Sequence, residues 1–335
     1  MHAEAGEAPQ RVQELLRHNH AGLAQLGAEL RRLKPRAFIT CARGSSDHAA
    51  TYARYLLETR LGVLTASASP SLSSVYGVRQ DLAACVFLAI SQSGQSPDLL
   101  AATRAARAAG ALVIALVNIE DAPLAQLAHH VVPLCAGTET SVAATKSCLC
   151  ALAACAQLIA HWSEDAGLLA ALATLPTQLQ QAWEQDWSAL VERLVAAQHL
   201  LVLGRGPGLG VAQEVALKLK ETCALHAEAF SGAEVRHGPL ALLCAGVPAL
   251  ILAQDDESRS GLEVLASDLV AAGVRVAAAG ITVPGALLLP ASAAHPALAP
   301  LLLAQSFYRS ANQLALARGL DPDRPAGLRK VTETL

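Results

Sequence analysis

The chain is broken into short, mostly apolar runs, each ending in a glycine- or serine-rich loop and followed by a helical pattern. Ala37-Phe-Ile-Thr-Cys-Ala42 leads into Arg43-Gly-Ser-Ser-Asp-His48 and a helix through about Glu58. Cys85-Val-Phe-Leu-Ala-Ile90 runs into Ser91-Gln-Ser-Gly-Gln-Ser-Pro-Asp98 and a helix to Ala109, which Gly110 ends. Ala111–Val117 reads as a third strand and Val131–Leu134 as a fourth, with a long helix to about Trp162 beyond it. Apolar runs of strand length that alternate with helices mean a parallel sheet covered on both faces. The expected class is α/β.

The pattern then starts again. Arg43-Gly44 recurs as Arg205-Gly206, Ala89-Ile90-Ser91 lines up with Leu252-Ala253-Gln254, and Gly110 with Gly273. The same elements in the same order suggest two copies of one α/β unit. The expected organisation is an N-terminal helix over 1–35, a first subdomain over 36–165, a helical connector over 166–197, a second subdomain over 198–318 and a tail over 319–335. The copies differ in chemistry: where the first has Ser91-Gln-Ser-Gly-Gln-Ser96, the second has Gln254-Asp-Asp-Glu-Ser258. Negative charge repels phosphate, so only the first copy is expected to bind an anion there.

Composition narrows the partners. The 335 residues are 53% hydrophobic but only 3% aromatic, so Ala, Leu and Val fill the interior. A formal charge of −3 gives no reason to expect nucleic acid or an anionic membrane. No apolar stretch is long and unbroken enough to span a bilayer, and the first residues lack the basic and apolar regions of a signal peptide. The expected location is the cytoplasm. The eight cysteines form no Cys-x-x-Cys pair and read as packing residues in a reducing compartment.

Three stretches carry candidate chemistry. Ser91–Asp98 follows a strand and opens a helix, with Ser96 at the N-cap and Pro97 at N1. Its hydroxyls, amide and exposed N–H groups make a phosphate cradle without fixed cations, placed where open α/β sheets bind ligands. Gly44-Ser45-Ser46 is a smaller patch of the same kind. The glycines at 204, 206, 208 and 210 alternate, which is not the dinucleotide fingerprint, and no nicotinamide, flavin or metal is expected. Glu214, Lys218 and Glu221 are spaced i, i+4, i+7 on one helix face, and His226, Glu228, Glu234 and His237 follow closely. Taken alone, such a triplet is usually a solvated helix face with a salt bridge.

Laid end to end, these segments resemble the sugar isomerase (SIS) family, specifically the isomerase half of glucosamine-6-phosphate synthase. They look closer still to stand-alone glucosamine-6-phosphate deaminases built on that half. The resemblance rests on Gly44-Ser-Ser, Ser91–Ser96, Gly137-Thr-Glu, Val142-Ala-Ala-Thr-Lys146, Ala216–Glu221, His226-Ala-Glu-Ala, Glu234–Leu240 and Leu328-Arg-Lys330. It implies two flavodoxin-like SIS subdomains, each a parallel sheet flanked by helices, and a homodimer that binds a phosphorylated amino sugar. By motif position, Ser46, Ser91, Gln92, Ser93 and Ser96 would hold the phosphate and Val142 would line the sugar. Glu221 would shuttle a proton between C1 and C2, with Lys218 assisting near the amino group. His237, reaching into the neighbouring subunit's site, would open the sugar ring. Lys330, on a tail that closes the site, would face the open-chain carbonyl carbon.

The synthase begins with a glutaminase domain whose nucleophile is an N-terminal cysteine, whereas here Met1 precedes His2 and the first cysteine is Cys41. The expected reaction is therefore the reverse one, glucosamine 6-phosphate and water to fructose 6-phosphate and ammonia. The alternatives keep the site and change the substrate: a galactosamine-6-phosphate deaminase, a fructosamine-6-phosphate deglycase or a plain aldose–ketose isomerase. A phosphosugar-sensing SIS module is the non-enzyme alternative. Regulators of that class usually lack the glutamate–histidine pair and carry a DNA-binding segment.

Overall fold

In the computed structural model, which describes residues 1–330, the strands fall into two five-stranded parallel sheets. The first sheet holds β1 (Ala37–Cys41), β2 (Thr65–Ser67), β3 (Cys85–Ser91), β4 (Leu112–Val117) and β5 (His130–Pro133). The second holds β6 (His199–Gly204), β7 (His226–Ser231), β8 (Ala249–Leu252), β9 (Val276–Ala279) and β10 (Leu287–Leu289). The longer helices are α1 (Ala8–Leu33), α2 (Ser45–Leu61), α3 (Pro97–Ala108), α4 (Lys146–Ser163), α5 (Ala166–Glu184), α6 (Gly208–Cys223), α7 (Arg259–Ala271) and α8 (Ala299–Ala317). No described helix is long and apolar enough to cross a membrane.

The chain divides into two compact units. The first comprises residues 10–139 and 146–173, with Arg329 and Lys330; the second comprises 1–9, 140–145 and 174–328. In the first, the strand order is β2-β1-β3-β4-β5; in the second it is β7-β6-β8-β9-β10. Numbered within each copy, both read 2-1-3-4-5, the flavodoxin-like order. The internal repeat seen in the sequence is thus a repeat of topology, and the two-subdomain α/β fold expected from it is the one present.

Why these residues form these strands is visible in their burial. Every residue of β3, β8 and β9 is buried, as parallel strands covered on both faces require. Around β3 and β4, Phe87, Ala89, Val113 and Ala115 pack against Leu99 and Ala106 of α3. Around β6, β8 and β9, Leu203, Ile251 and Ala278 pack against Leu262 and Leu265 of α7. The small Ala and Val side chains let helices lie close to each sheet, which suits a chain with few aromatics. Helix α4 is buried from Lys146 to Trp162, so Cys148, Cys150 and Cys155 are packing residues.

Each order reverses direction once, between β1 and β3 and between β6 and β8. Adjacent loops diverge there and leave a crevice at the carboxyl ends of the strands. In the first unit the loops opening onto it are Ala42–Gly44 and Gln92–Ser96. In the second they are Arg205–Pro207 and Ala253–Ser258.

Candidate active site

In the first unit, Ser46 stands in the first turn of α2, directly after β1, and Ser91 is the last residue of β3. Gln92, Ser93 and Ser96 fill the loop between β3 and α3, with Ser96 at the N-cap and Pro97 at N1. The loop's shape depends on two contacts. The Ser91 hydroxyl accepts the Gly94 N–H at 2.9 Å, curling the chain back on itself. Gly94 has φ +64°, and a Cβ there would come within 2.7 Å of Ala122 Cβ and 2.9 Å of Val117 Cγ2, so only glycine fits. Ser96 makes no side-chain cap, which leaves its hydroxyl for another partner. Gln92, Ser93 and Ser96 are half-buried, while Ser91 is buried.

A residue that the sequence reading missed completes this crevice. The Arg43 guanidinium donates from Nε and Nη2 to Asp98 Oδ2, at 2.9 and 2.7 Å. The Asp98 side chain is fully buried in the first turn of α3. The fork therefore ties the loop after β1 to the loop after β3 across the switch point. A cradle expected to hold no fixed cation has one at its edge, already paired. The sequence signal was an arginine beside Gly44, with an aspartate 55 residues further on that nothing local links to it.

Also in the first unit, the fully buried Glu139 carboxylate accepts the Ser147 hydroxyl at 2.6 Å and the Ser147 N–H at 3.2 Å. Lys330 Nζ lies 3.2 Å from the same carboxylate. The tail lysine named by the resemblance is thus paired with a buried acid. Glu139 belongs to the Gly137-Thr-Glu motif but was given no role in the sequence reading.

In the second unit, Glu214, Lys218 and Glu221 share one face of α6, and it is not a solvated face. Lys218 is completely buried and Glu214 nearly so, while the Glu221 side chain is 21% exposed. Lys218 Nζ is in direct contact with Glu221 Oε2 and stands 3.6 Å from Glu214 Oε1. The Tyr308 hydroxyl, on α8, donates to Glu214 Oε1 at 3.0 Å. A buried ammonium is sustained only by such counter-charges. Glu221, partly open to solvent at one end of this chain of contacts, is the member that can meet a ligand.

His237 ends a helical turn, Glu234–His237, that is anchored by the buried Val235. The histidine itself is exposed, and Gly238 after it takes φ +144°, which reverses the chain. Val142 is half-buried, and its N–H donates to the Asp323 carbonyl at 3.2 Å. Beside it, Glu4 accepts the N–H of Thr140 and both the hydroxyl of Thr140 and the N–H of Ser141. Burial raises the Glu4 pKa, but bonds from Ser141 and Thr140 and the N-terminal ammonium outweigh it and hold the carboxyl at about 2.

The second unit's own switch point holds a bonded glutamine. Gln254, which lines up with Ser91, is buried, and its Nε2 donates to the Arg205 carbonyl, Asp256 Oδ2 and Ser258 Oγ. A Cβ on Gly208 would lie 2.4 Å from Gln254 Oε1, and Gly206, with φ +58°, faces the same side chain. The glycine cluster makes room for a glutamine side chain.

The site is thus a doubly wound α/β unit, repeated, with hydroxyls at one switch point and a buried acid–lysine face on the helix after β6. The chain belongs to the SIS domain family, which matches residues 32–161 and 193–285. A glutamine–fructose-6-phosphate aminotransferase (isomerizing) of Zymomonas mobilis is 32% identical over 330 residues, covering 90% of this chain and 52% of that protein. The chain thus spans about half the length of the curated relatives it matches. A Silicibacter pomeroyi protein assigned provisionally as a phosphosugar isomerase is 43% identical, with a TM-score of 0.93 over 96% of this chain and 99% of that one. The glucosamine-6-phosphate deaminase of Thermotoga maritima shares the fold at a TM-score of 0.73 and 19% identity, over 97% of this chain and 100% of that one.

Proposed function

We propose that this chain is an amino sugar phosphate isomerase that works as a deaminase on glucosamine 6-phosphate. The observation that carries this reading is the completely buried Lys218 in contact with a partly exposed Glu221. An aldose–ketose shift needs one base near both C1 and C2, and a carboxylate oriented by a fixed ammonium supplies it. Glu221 removes the C2 proton of the open-chain sugar and returns it to C1, leaving an imine at C2. Water adds to that imine and ammonia leaves, giving the ketose phosphate. The hydroxyls of Ser46, Ser91, Ser93 and Ser96, with the Gln92 amide, hold the phosphate, and Val142 lines the sugar. Lys330, drawn from Glu139, faces the open-chain carbonyl carbon.

The test is an ammonia-release assay across a panel of 2-amino sugar 6-phosphates, with fructosamine 6-phosphate included. Ammonia and fructose 6-phosphate from the gluco epimer support the reading. Ketose phosphate without ammonia makes the chain a plain isomerase, and phosphosugar binding without turnover makes it a sensor.

The exposed turn that carries His237 supports a second part of the proposal: His237 opens the ring in the site of a neighbouring copy within a homodimer. Equal mixing of Glu221→Gln and His237→Ala proteins, each nearly inactive, is then expected to restore about a quarter of parental activity. Half of the dimers would be mixed, and each would hold one intact site. No recovery after confirmed subunit exchange sinks the crossing assignment.

A further inference from the structure

We propose that Tyr308 is a positioning residue for the Lys218–Glu221 pair, acting through Glu214. The inference rests on the catalytic reading above, but it concerns a residue 94 positions from Glu214, outside the motifs that carry the family resemblance.

The argument starts from how donors are shared in a buried cluster. Lys218 is a compact ammonium with three donors, and the carboxylates of Glu214 and Glu221 stand within reach of it. It touches Glu221 Oε2, whereas Glu214 Oε1 is 3.6 Å away, beyond a normal hydrogen bond. That same Oε1 already accepts the Tyr308 hydroxyl at 3.0 Å. Glu214 is the more deeply buried carboxylate, at 1% exposure against 21% for Glu221, and so has the greater need of donors. The tyrosine hydroxyl meets part of that need with a neutral group. The ammonium is left directed at Glu221.

Without the hydroxyl, a buried carboxylate oxygen loses a donor, and such a loss is strongly unfavourable. Lys218 needs to move only about an ångström to replace it with a charge-assisted bond. It would then turn away from Glu221, and the carboxylate that moves the proton would lose the group that orients it. The phosphate-binding hydroxyls belong to other elements, so substrate binding is not expected to change.

Tyr308→Phe keeps the ring and removes only the hydroxyl. The expected result is a fall in kcat of about tenfold, the scale of a misplaced catalytic group, with KM within about twofold of the parent. In a Glu214→Gln background the side chain that competes for Lys218 no longer carries a charge, so the same change should lower kcat by less than about twofold. A purely structural role would lower thermal stability equally in both backgrounds and leave this split absent. A substrate-free measurement separates failure of this idea from failure of the functional reading. The chain has five lysines, so 15N-lysine labelling resolves the side-chain ammonium signals. The Lys218 signal should shift in Tyr308→Phe while the other four stay in place. An unmoved Lys218 signal, an unchanged kcat, or an equal loss of kcat in both backgrounds overturns the proposal.

Discussion

At the carboxyl ends of β1 and β3, serine hydroxyls stand around a crevice whose two loops are tied by Arg43 and Asp98. At the carboxyl ends of β6 and β8, the same topological position holds the amide of Gln254, bonded to the Arg205 carbonyl and flanked by Asp256 and Ser258. One strand order occurs twice, once with serine hydroxyls at its switch point and once with a bonded glutamine there. The difference shows what a repeated unit allows. A unit whose crevice holds a glutamine can still use its sheet as a rigid support for charged groups on the helix that follows. In α6 those groups lie buried along one face, in a setting where a lysine and two glutamates can be held in fixed geometry.

If chemistry resides on α6, the largest effect belongs to Glu221→Gln. The amide keeps shape and hydrogen-bonding reach but cannot take a proton. Turnover is expected to fall by about 10²–10⁴-fold with phosphosugar binding nearly unchanged. The variant should also fail to exchange solvent deuterium into fructose 6-phosphate, a step that needs proton transfer but no ammonia. Exchange at the parental rate would return Glu221 to a salt-bridge role and send the search for the base to Glu228 or Glu234.

The next contrast is between crevices. Ser91→Ala with Ser93→Ala removes two hydroxyls that, on the proposed reading, bind the phosphate, remote from the reacting carbons. KM is expected to rise about 10–100-fold with kcat nearly constant, since each of the two hydrogen bonds contributes about 0.5–1.5 kcal/mol net. Gln254→Ala, the matched change in the second unit, should lower stability and leave KM alone. If KM follows Gln254 and not the serines, the two crevices have been assigned the wrong way round.

A third measurement asks whether Gln254 fills its crevice as tightly as the geometry says. Gly208→Ala would place a methyl 2.4 Å from Gln254 Oε1, and the amide's three bonds oppose its retreat. A loss of about 1–3 kcal/mol in unfolding free energy is expected. The same change in a Gln254→Ala background should be far milder. Equal losses in both backgrounds would mean that the glycine serves the helix start and not the glutamine.

How much of this was readable in the sequence follows from how local each signal is. The central strands announced themselves because β3 and β4 are unbroken apolar runs of strand length, and the Ser91–Ser96 loop because its hydroxyls sit between such a strand and a Pro-led helix. β2 was missed because three residues, Thr65-Ala-Ser67, carry almost no pattern, and β7 because His226 and Glu228 alternate with alanines on an edge strand. The burial of Lys218 was not readable either. Its spacing to Glu214 and Glu221 fits a solvated helix face equally well, and the tyrosine that joins the cluster lies on α8. Arg43 with Asp98, and Lys330 with Glu139, are pairs of the same kind, distant in sequence and meeting only when strands pair and tails return.

The smallest expected effect is also the most direct comparison of the two copies, because Arg43 and Arg205 occupy matching places after β1 and β6. Arg43 offers two nitrogens to one oxygen of a fully buried carboxylate. Lysine at this site keeps the charge but not the planar fork. Arg43→Lys should let the two loops of the crevice move apart slightly, and the expected rise in KM is about two- to fivefold with kcat unchanged, the equivalent of about 0.5–1 kcal/mol. Arg205 is exposed, and it is its backbone carbonyl, not its guanidinium, that holds Gln254. Arg205→Lys leaves that carbonyl in place and should change neither KM nor stability measurably. If instead both arginines shift KM alike, their side chains act through long-range charge, and the fork to Asp98 has no special part in shaping the first unit's crevice. Raising the ionic strength decides between the two: a charge effect on KM fades as salt screens it, whereas the loss of a geometric tie persists.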